Sequence, residues 1–218
     1  MIALNGVTDS GCEELVNLRA ALETIAARAR ENNVRIVIDA EQSWYQPVID
    51  SPTDELMQKY NTPDGPATCI ASFQAYLRRY PQLLDQQIDH ANKKGYRLLL
   101  KQVRGAYMVT DAARWKRKAR EGPGPVWATK SETDASYNYG IEKTLSTVAN
   151  QVHHTGHTSI SVVSNSISID LGIRLLEKYG MAKRERGEDR LVILNEAAGS
   201  ISLALLYGKP LSSSPPGR

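Results

Sequence analysis

Cysteine is scarce in this 218-residue chain: Cys12 and Cys69 are the only two, and neither sits in a C-x-x-C pair or a ligand cluster. A disulfide framework and a zinc module are therefore not expected, and a reducing compartment is favoured. Long apolar runs are also lacking. No stretch approaches the roughly 18 to 20 residues a spanning helix needs, and the first dozen residues carry neither a signal-peptide core nor an Arg-rich amphipathic presequence. An excess of one charge is missing too, with a formal net charge of +3 and Lys and Arg mixed among Asp and Glu. That balance argues against nucleic acid as a partner and against an acidic membrane surface. What remains is an ordinary globular composition, 41% hydrophobic and 23% charged, enough for one core and most of one domain. A small-molecule site is the functional class to look for.

Five short runs read as buried strands because they are β-branched or Leu-rich and bounded by turn residues: Val34–Asp39, Thr68–Gln74, Arg97–Val103, Thr158–Ser164 and Arg190–Leu194. A sixth is placed in the leader, Met1–Val7. Helical patterns lie between them. In Glu13–Asn32 the apolar positions Leu15, Leu18, Leu22, Ile25 and Ala29 recur at helical spacing, which predicts a helix packed on a sheet. Tyr80–Lys94 stops at Gly95, Asp134–His153 at Gly156, and Ser166–Tyr179 at Gly180. Strands starting roughly every 30 residues with helices between them are the cadence of βα units. The expected fold is α/β with a parallel sheet, either a closed (βα)8 barrel or an open doubly wound sheet. Residues 1–208 would form that domain, and the Ser- and Pro-rich Lys209–Arg218 a disordered tail.

Polar residues accumulate at the C-terminal ends of the strands, the edge where both architectures bind ligands. Lys101 and Arg104, three apart, point to opposite faces of their strand. Beside Arg104 the small Gly105 and Ala106 would let backbone N–H groups approach an anionic or electron-rich ligand; equally, both cations could pair with carboxylates at the rim. Asp39 and Glu41 share a face at the end of the first strand, where Asp39 is a natural partner for Lys101 or an orienter of its own loop. Gln74 ends the second strand with an amide able to donate to one ring atom and accept from another, or to be satisfied by local backbone. Thr129 and Lys130 precede a helix expected to begin near Asp134, either as a phosphate site or as a solvated loop. His153, His154 and His157 have the look of a metal cluster, but they straddle a helix C-terminus, which histidines favour for electrostatic reasons.

Taken in order, "VIDAEQSWYQPVID", "SFQAYLRR", "LLLKQVRGAYM" and "TKSETDASYNYGI" resemble the proline dehydrogenase family, most closely its fungal members. The resemblance covers roughly Val34 to Leu176 and implies a (βα)8 TIM barrel holding FAD. It further implies oxidation of L-proline to Δ1-pyrroline-5-carboxylate, a quinone as electron acceptor, and a mitochondrial location at the inner membrane. By position, Asp39 matches the active-site carboxylate and Lys101 the cation near the flavin N5 edge, the two catalytic assignments. The cofactor-binding assignments are Gln74 at the flavin pyrimidine; Lys101, Val103, Arg104, Gly105 and Ala106 along the isoalloxazine; Thr129 and Lys130 on the phosphate and adenosine side; and Ser164 and Asn165 after the fourth strand.

The chain also departs from the family pattern. Gln102 stands where family members have Leu, which implies an amide in place of an apolar wall against the substrate. Ser164-Asn165-Ser166 replaces a Ser-His-Asn element, so a flavin-contacting histidine is missing. No counterpart of the family's last strand or of its arginine-bearing helix is read before Arg218. The expectation is therefore an incomplete barrel of about five to six βα units, with a non-catalytic binding role as the alternative to enzyme activity.

Overall fold

In the computed structural model the described residues are 9–65, 67–118, 120–151, 159–164, 166–179, 190–197 and 200–207, with side chains described over 10–65, 67–118, 120–150 and 171–179. Helix α1 (Asp9–Glu31) ends in a turn closed by Asn33 at φ 54°, whose N–H donates to Arg30 O while Val34 N donates to Ala29 O. Strand β1 (Ile36–Ile38) follows, then helix α2 (Gln46–Tyr60), strand β2 (Cys69–Gln74), helix α3 (Tyr80–Lys94), strand β3 (Leu99–Val103) and helix α4 (Met108–Arg117). The chain continues through helix α5 (Lys130–Gln151), strand β4 (Ser159–Ser164), helix α6 (Ser166–Lys178), strand β5 (Arg190–Ala197) and strand β6 (Ser200–Tyr207). Gly95 adopts φ 72° and its N–H caps Ala91 O, the stop expected for α3.

The six strands form one sheet in the order β1-β2-β3-β4-β6-β5. β1 to β4 are mutually parallel, as βα units require. The leader residues Met1–Val7 lie outside the described residues, and the sixth strand is β6, which pairs antiparallel with both β4 and β5. Connection length sets the direction of the last pair. The two residues between β5 and β6 are far too few for a parallel crossover, which needs about a dozen, so the two strands pair antiparallel, and β6 is the one that lies beside β4. The four parallel strands with helices between them are thus extended at one edge by an antiparallel pair.

Two helices were not legible in the sequence. α2 carries Pro47 in its first turn, where the missing N–H costs nothing, and Pro52 in its interior. Burial of Leu56, Met57 and Tyr60 against the sheet overrides the proline penalty. α4 is short, and its one buried residue is Asp111. α1 keeps Ala29 and, in part, Leu22 of its expected face in the core, but departs from it elsewhere: Ala26 is buried, whereas Leu18 and Ile25 are exposed. The reason is that α1 lies against α2. It is tied there by Lys59 and Tyr60 to Glu23, by Arg19 to Glu55 and by Arg30 to Tyr60 O.

Alternation along the strands divides the sheet into two faces. Cys69, Ala71, Phe73, Leu98 and Leu100 join Leu84, Ile88, Tyr137, Ile141 and Leu145 of α3 and α5 in the core on the helix side. At the N-terminal edge, the fully buried Asn61 spans two strands. Its Nδ2 donates to Cys69 O and Arg97 O, and its Oδ1 accepts from Thr68 N and Cys69 N. All four hydrogen-bonding positions of the amide are used, which fixes the start of β2 against that of β3.

Candidate active site

Register builds the site. Ile38 pairs with Ala71, Ser72 with Lys101 and Lys101 with Ser161, so Asp39, Ser72, Lys101 and Ser161 lie in one row across four strands. In that row Lys101 Nζ donates to Asp39 Oδ1 at 2.5 Å, and Ser72 Oγ donates to the same oxygen at 3.0 Å. Partial burial pushes the Asp39 carboxyl up, but the Lys101 ammonium and Ser72 hydroxyl outweigh it and hold the group below the usual carboxylate range. The ammonium is therefore held at a fixed point on the open inner face of the sheet.

Two residue pairs further toward the C-terminal edge, at the next position on the same face, Gln74 is paired with Val103. Gln74 is 3% exposed. Its Nε2 donates to Glu41 O at 2.6 Å and to Tyr76 Oη at 2.7 Å, while its buried Oε1 has no protein partner among the described residues. A buried acceptor without a donor is costly unless a ligand supplies one. Above it, Tyr107 donates to the Glu41 carboxylate, and that bond with slight burial raises its phenol. Tyr76 is fully buried; burial, followed by the charge of Asp111, pushes its hydroxyl well above the ordinary range. Gly105 and Ala106 are exposed at the rim, and a Cβ on Gly105 would come within 2.8 Å of Met108 Sδ. A side chain at Gly105 would therefore have to push the Met108 side chain aside.

Arg104 points the other way from Lys101. Its guanidinium pairs with Asp134 and lies 4.2 Å over the Tyr137 ring, joining the end of β3 to α5. Thr129 and Lys130 sit at the start of that helix, which begins at Lys130 and not near Asp134. Thr129 N donates to Glu132 Oε2 at 2.8 Å while Glu132 N donates to Thr129 Oγ1 at 3.2 Å, a reciprocal capping box. Lys130 Nζ is 2.5 Å from Asp134 Oδ2. The backbone of Ser164 ends β4 opposite Ile201; its side chain, Asn165 and the three histidines at 153, 154 and 157 lie outside the described residues. No group of metal-ligating side chains occurs among the described residues. Cys12 and Cys69 are both free, and burial pushes the Cys69 thiol up to about 12, which leaves it chemically quiet.

Gln102 corrects one expectation. It does not wall the substrate side but points into the helix layer, fully buried, where its Oε1 accepts from Tyr80 Oη at 2.8 Å and its Nε2 donates to Tyr137 O at 2.5 Å. The space for it is made by Gly140 in α5, since a Cβ there would collide with both Tyr80 Oη and Gln102 Oε1.

A fixed cation, a buried acceptor and a bare strand end gathered at the C-terminal edge of a parallel sheet define a barrel-type small-molecule site. Residues 4–186 match the family model for proline dehydrogenase, and the chain belongs to that family. It is 32% identical over 177 residues to the Caenorhabditis elegans protein named "Proline dehydrogenase 1, mitochondrial", covering 80% of this chain and 27% of that one. Against the Dictyostelium discoideum protein of the same name it is 31% identical over 175 residues, 79% of this chain and 30% of that one. The chain thus spans less than a third of the length of these relatives. Its fold matches the crystal structure of proline utilization A from Bdellovibrio bacteriovorus inactivated by N-propargylglycine, with a TM-score of 0.67 at 20% identity over 78% of this chain and 17% of that one.

Of the residues expected at the site, the structure brings Asp39 together with Lys101 on one face, places Gln74 at the next position of that face, and turns Arg104 away from it. Ser72, Tyr76 and Asp111, which join the same hydrogen-bond network, were not expected. Ser72 is readable from register once Asp39 and Lys101 are paired. Asp111 has no such signal, because only the fold sets α4 against Tyr76.

Proposed function

We propose that this chain forms the flavin-facing part of a FAD-dependent proline dehydrogenase, which oxidises L-proline to Δ1-pyrroline-5-carboxylate and passes the electrons to a quinone. Family membership supports the reaction class, and relatives named as mitochondrial support placing it in that organelle; a location at the inner membrane is part of the same proposal. The observation that carries the reading is the Lys101–Asp39 pair standing on the same face as the unpartnered Gln74 Oε1, two register steps away.

The donor set suits a flavin. Gln74 offers an acceptor where the flavin pyrimidine has an imide N–H, Lys101 offers positive charge, and Gly105 with Ala106 offers backbone that a flat ring can approach. Acceptance of the hydride from the substrate is chemistry that FAD supplies when bound. The protein's share is electrostatic and positional. Lys101, held by Asp39 and Ser72, keeps a cation on the inner face, where it favours negative charge developing on a neighbouring ring. Gln74, pinned through its Nε2, holds its acceptor in a fixed direction and so orients what binds there. Asp39 competes for the ammonium, which keeps it from swinging into solvent. Thr129 and Lys130 would serve the phosphates only by exchanging their present partners, Glu132 and Asp134, for them.

The test is titration of the purified protein with FAD, followed by quenching of flavin fluorescence. Saturable quenching that Lys101→Met weakens by about tenfold or more supports the reading, a ratio worth ~1.4 kcal/mol. Uptake of no flavin by a folded protein overturns it.

A further inference from the structure

Asp111 is the one buried residue of α4, 2% exposed, and it acts on the site through Tyr76 and Ser43, without facing the open inner face itself. Its Oδ1 accepts from Ser43 N at 3.0 Å and from Ser43 Oγ at 2.8 Å; its Oδ2 accepts from Tyr76 Oη at 3.4 Å. We propose that Asp111 is a positioning residue that fixes which end of the Gln74 amide faces the ligand. The proposal rests on the flavin reading only for the identity of that ligand.

A carboxylate accepts and does not donate. The Tyr76 hydroxyl proton is therefore committed to Asp111, and the phenol oxygen is left to accept, from Tyr107 N at 3.3 Å and from Gln74 Nε2 at 2.7 Å. The second Nε2 proton goes to Glu41 O, in the β1–α2 loop that Asp111 also holds through Ser43, two residues along. Both supports of the Gln74 Nε2 thus depend on one carboxylate. With the nitrogen end facing two acceptors, the amide cannot turn over without setting its oxygen against the Glu41 carbonyl. The site is left presenting an acceptor, Oε1, and selects a ligand that brings an N–H donor.

Asp111→Asn tests the logic by reversing one polarity. The new amide can keep Ser43 through its oxygen, so its nitrogen faces Tyr76, and the phenol proton is displaced toward Gln74 Nε2. The direct readout needs no flavin: solvent exchange of the Gln74 side-chain NH2 protons in 15N-labelled protein, their signals assigned by loss in Gln74→Leu. Exchange should speed up by about tenfold in Asp111→Asn, the ratio expected from loss of about one hydrogen bond. Asp111→Glu, which keeps a carboxylate, should move it less. Tyr76→Phe, which breaks the link without touching the buried carboxylate, is the second variant and should also speed exchange. Unchanged Gln74 exchange in Tyr76→Phe, or in folded Asp111→Asn, overturns the proposal. A second readout is the preference for riboflavin over 3-methylriboflavin, whose imide donor is blocked: present in the wild type, it should be lost in Asp111→Asn, and its retention there also counts against the proposal. A wild type that takes up neither compound defeats the flavin reading alone, and the exchange measurement still decides the role of Asp111.

Discussion

Replacing Gln102 by leucine removes a fully buried amide from between α3, β3 and α5, and the structure says what is lost. Tyr80 Oη, itself buried, loses its acceptor and keeps its desolvation cost, about 1–3 kcal/mol. Tyr137 O loses a donor, but it lies within α5, where a helical N–H also reaches it. Part of the loss is offset by the apolar transfer of leucine, so a net destabilisation of about 1–2 kcal/mol is expected. Tyr80→Phe alone strands Gln102 Oε1 and should cost a similar amount. The double variant leaves neither polar end stranded, and the two effects should fail to add by about 1 kcal/mol or more. Gly140→Ala should destabilise as well, despite the better helix propensity of alanine, because its Cβ has no room between Tyr80 and Gln102. The assay is chemical denaturation of the four proteins of the cycle, with FAD titration in parallel. Strict additivity, or a Gln102→Leu variant as stable as wild type but altered in flavin uptake, would place Gln102 on the inner face and refute the reasoning.

Three further outcomes follow from the same geometry. Asn61→Ala, which strands four backbone groups at the edges of β2 and β3, should cost about 2–4 kcal/mol by denaturant unfolding. Asp39 has a depressed native pKa, so it adds stability above the unfolded carboxylate range, about pH 3.9, and that stability is lost as pH falls through its native value. The difference between wild type and Asp39→Asn should then be flat near neutrality, vanish in acid, and stay below about 1 kcal/mol because the carboxylate is 64% exposed. Asp50 runs the other way: burial raises its carboxyl despite Gln46 and Arg79, so its charge costs stability above its native pKa. Asp50→Asn should stabilise at neutral pH, with the gain shrinking as pH falls into the range where the native carboxyl is already protonated.

Strands β2 and β3 and helix α3 were readable because local pattern and turn chemistry agree there, with Gly95 supplying the left-handed stop. α2 was not, since Pro47 and Pro52 speak against a helix and only burial of Leu56, Met57 and Tyr60 decides for one. The hairpin of β5 and β6 was missed because Ser200–Tyr207 was not read as a strand, the sixth having been placed in the leader; the short connection then sets its direction. At the site, alternation alone could have corrected Gln102: with Lys101 on the inner face, its neighbour has to enter the helix layer. The Thr129–Glu132 spacing likewise carries a capping-box signature that moves the start of α5 four residues earlier than Asp134. Ser72, Tyr76 and Asp111 depend on register and on helix placement, which no stretch of this sequence states by itself.

The central claim is that the Lys101–Asp39 row and the Gln74 acceptor hold a flavin against an oxidisable amine. Its most direct measurement is the anaerobic absorbance spectrum of the FAD-loaded protein before and after addition of L-proline. The account predicts loss of the oxidised-flavin band on proline addition, abolished in Lys101→Met. A folded, flavin-loaded protein whose spectrum proline leaves unchanged would contradict it.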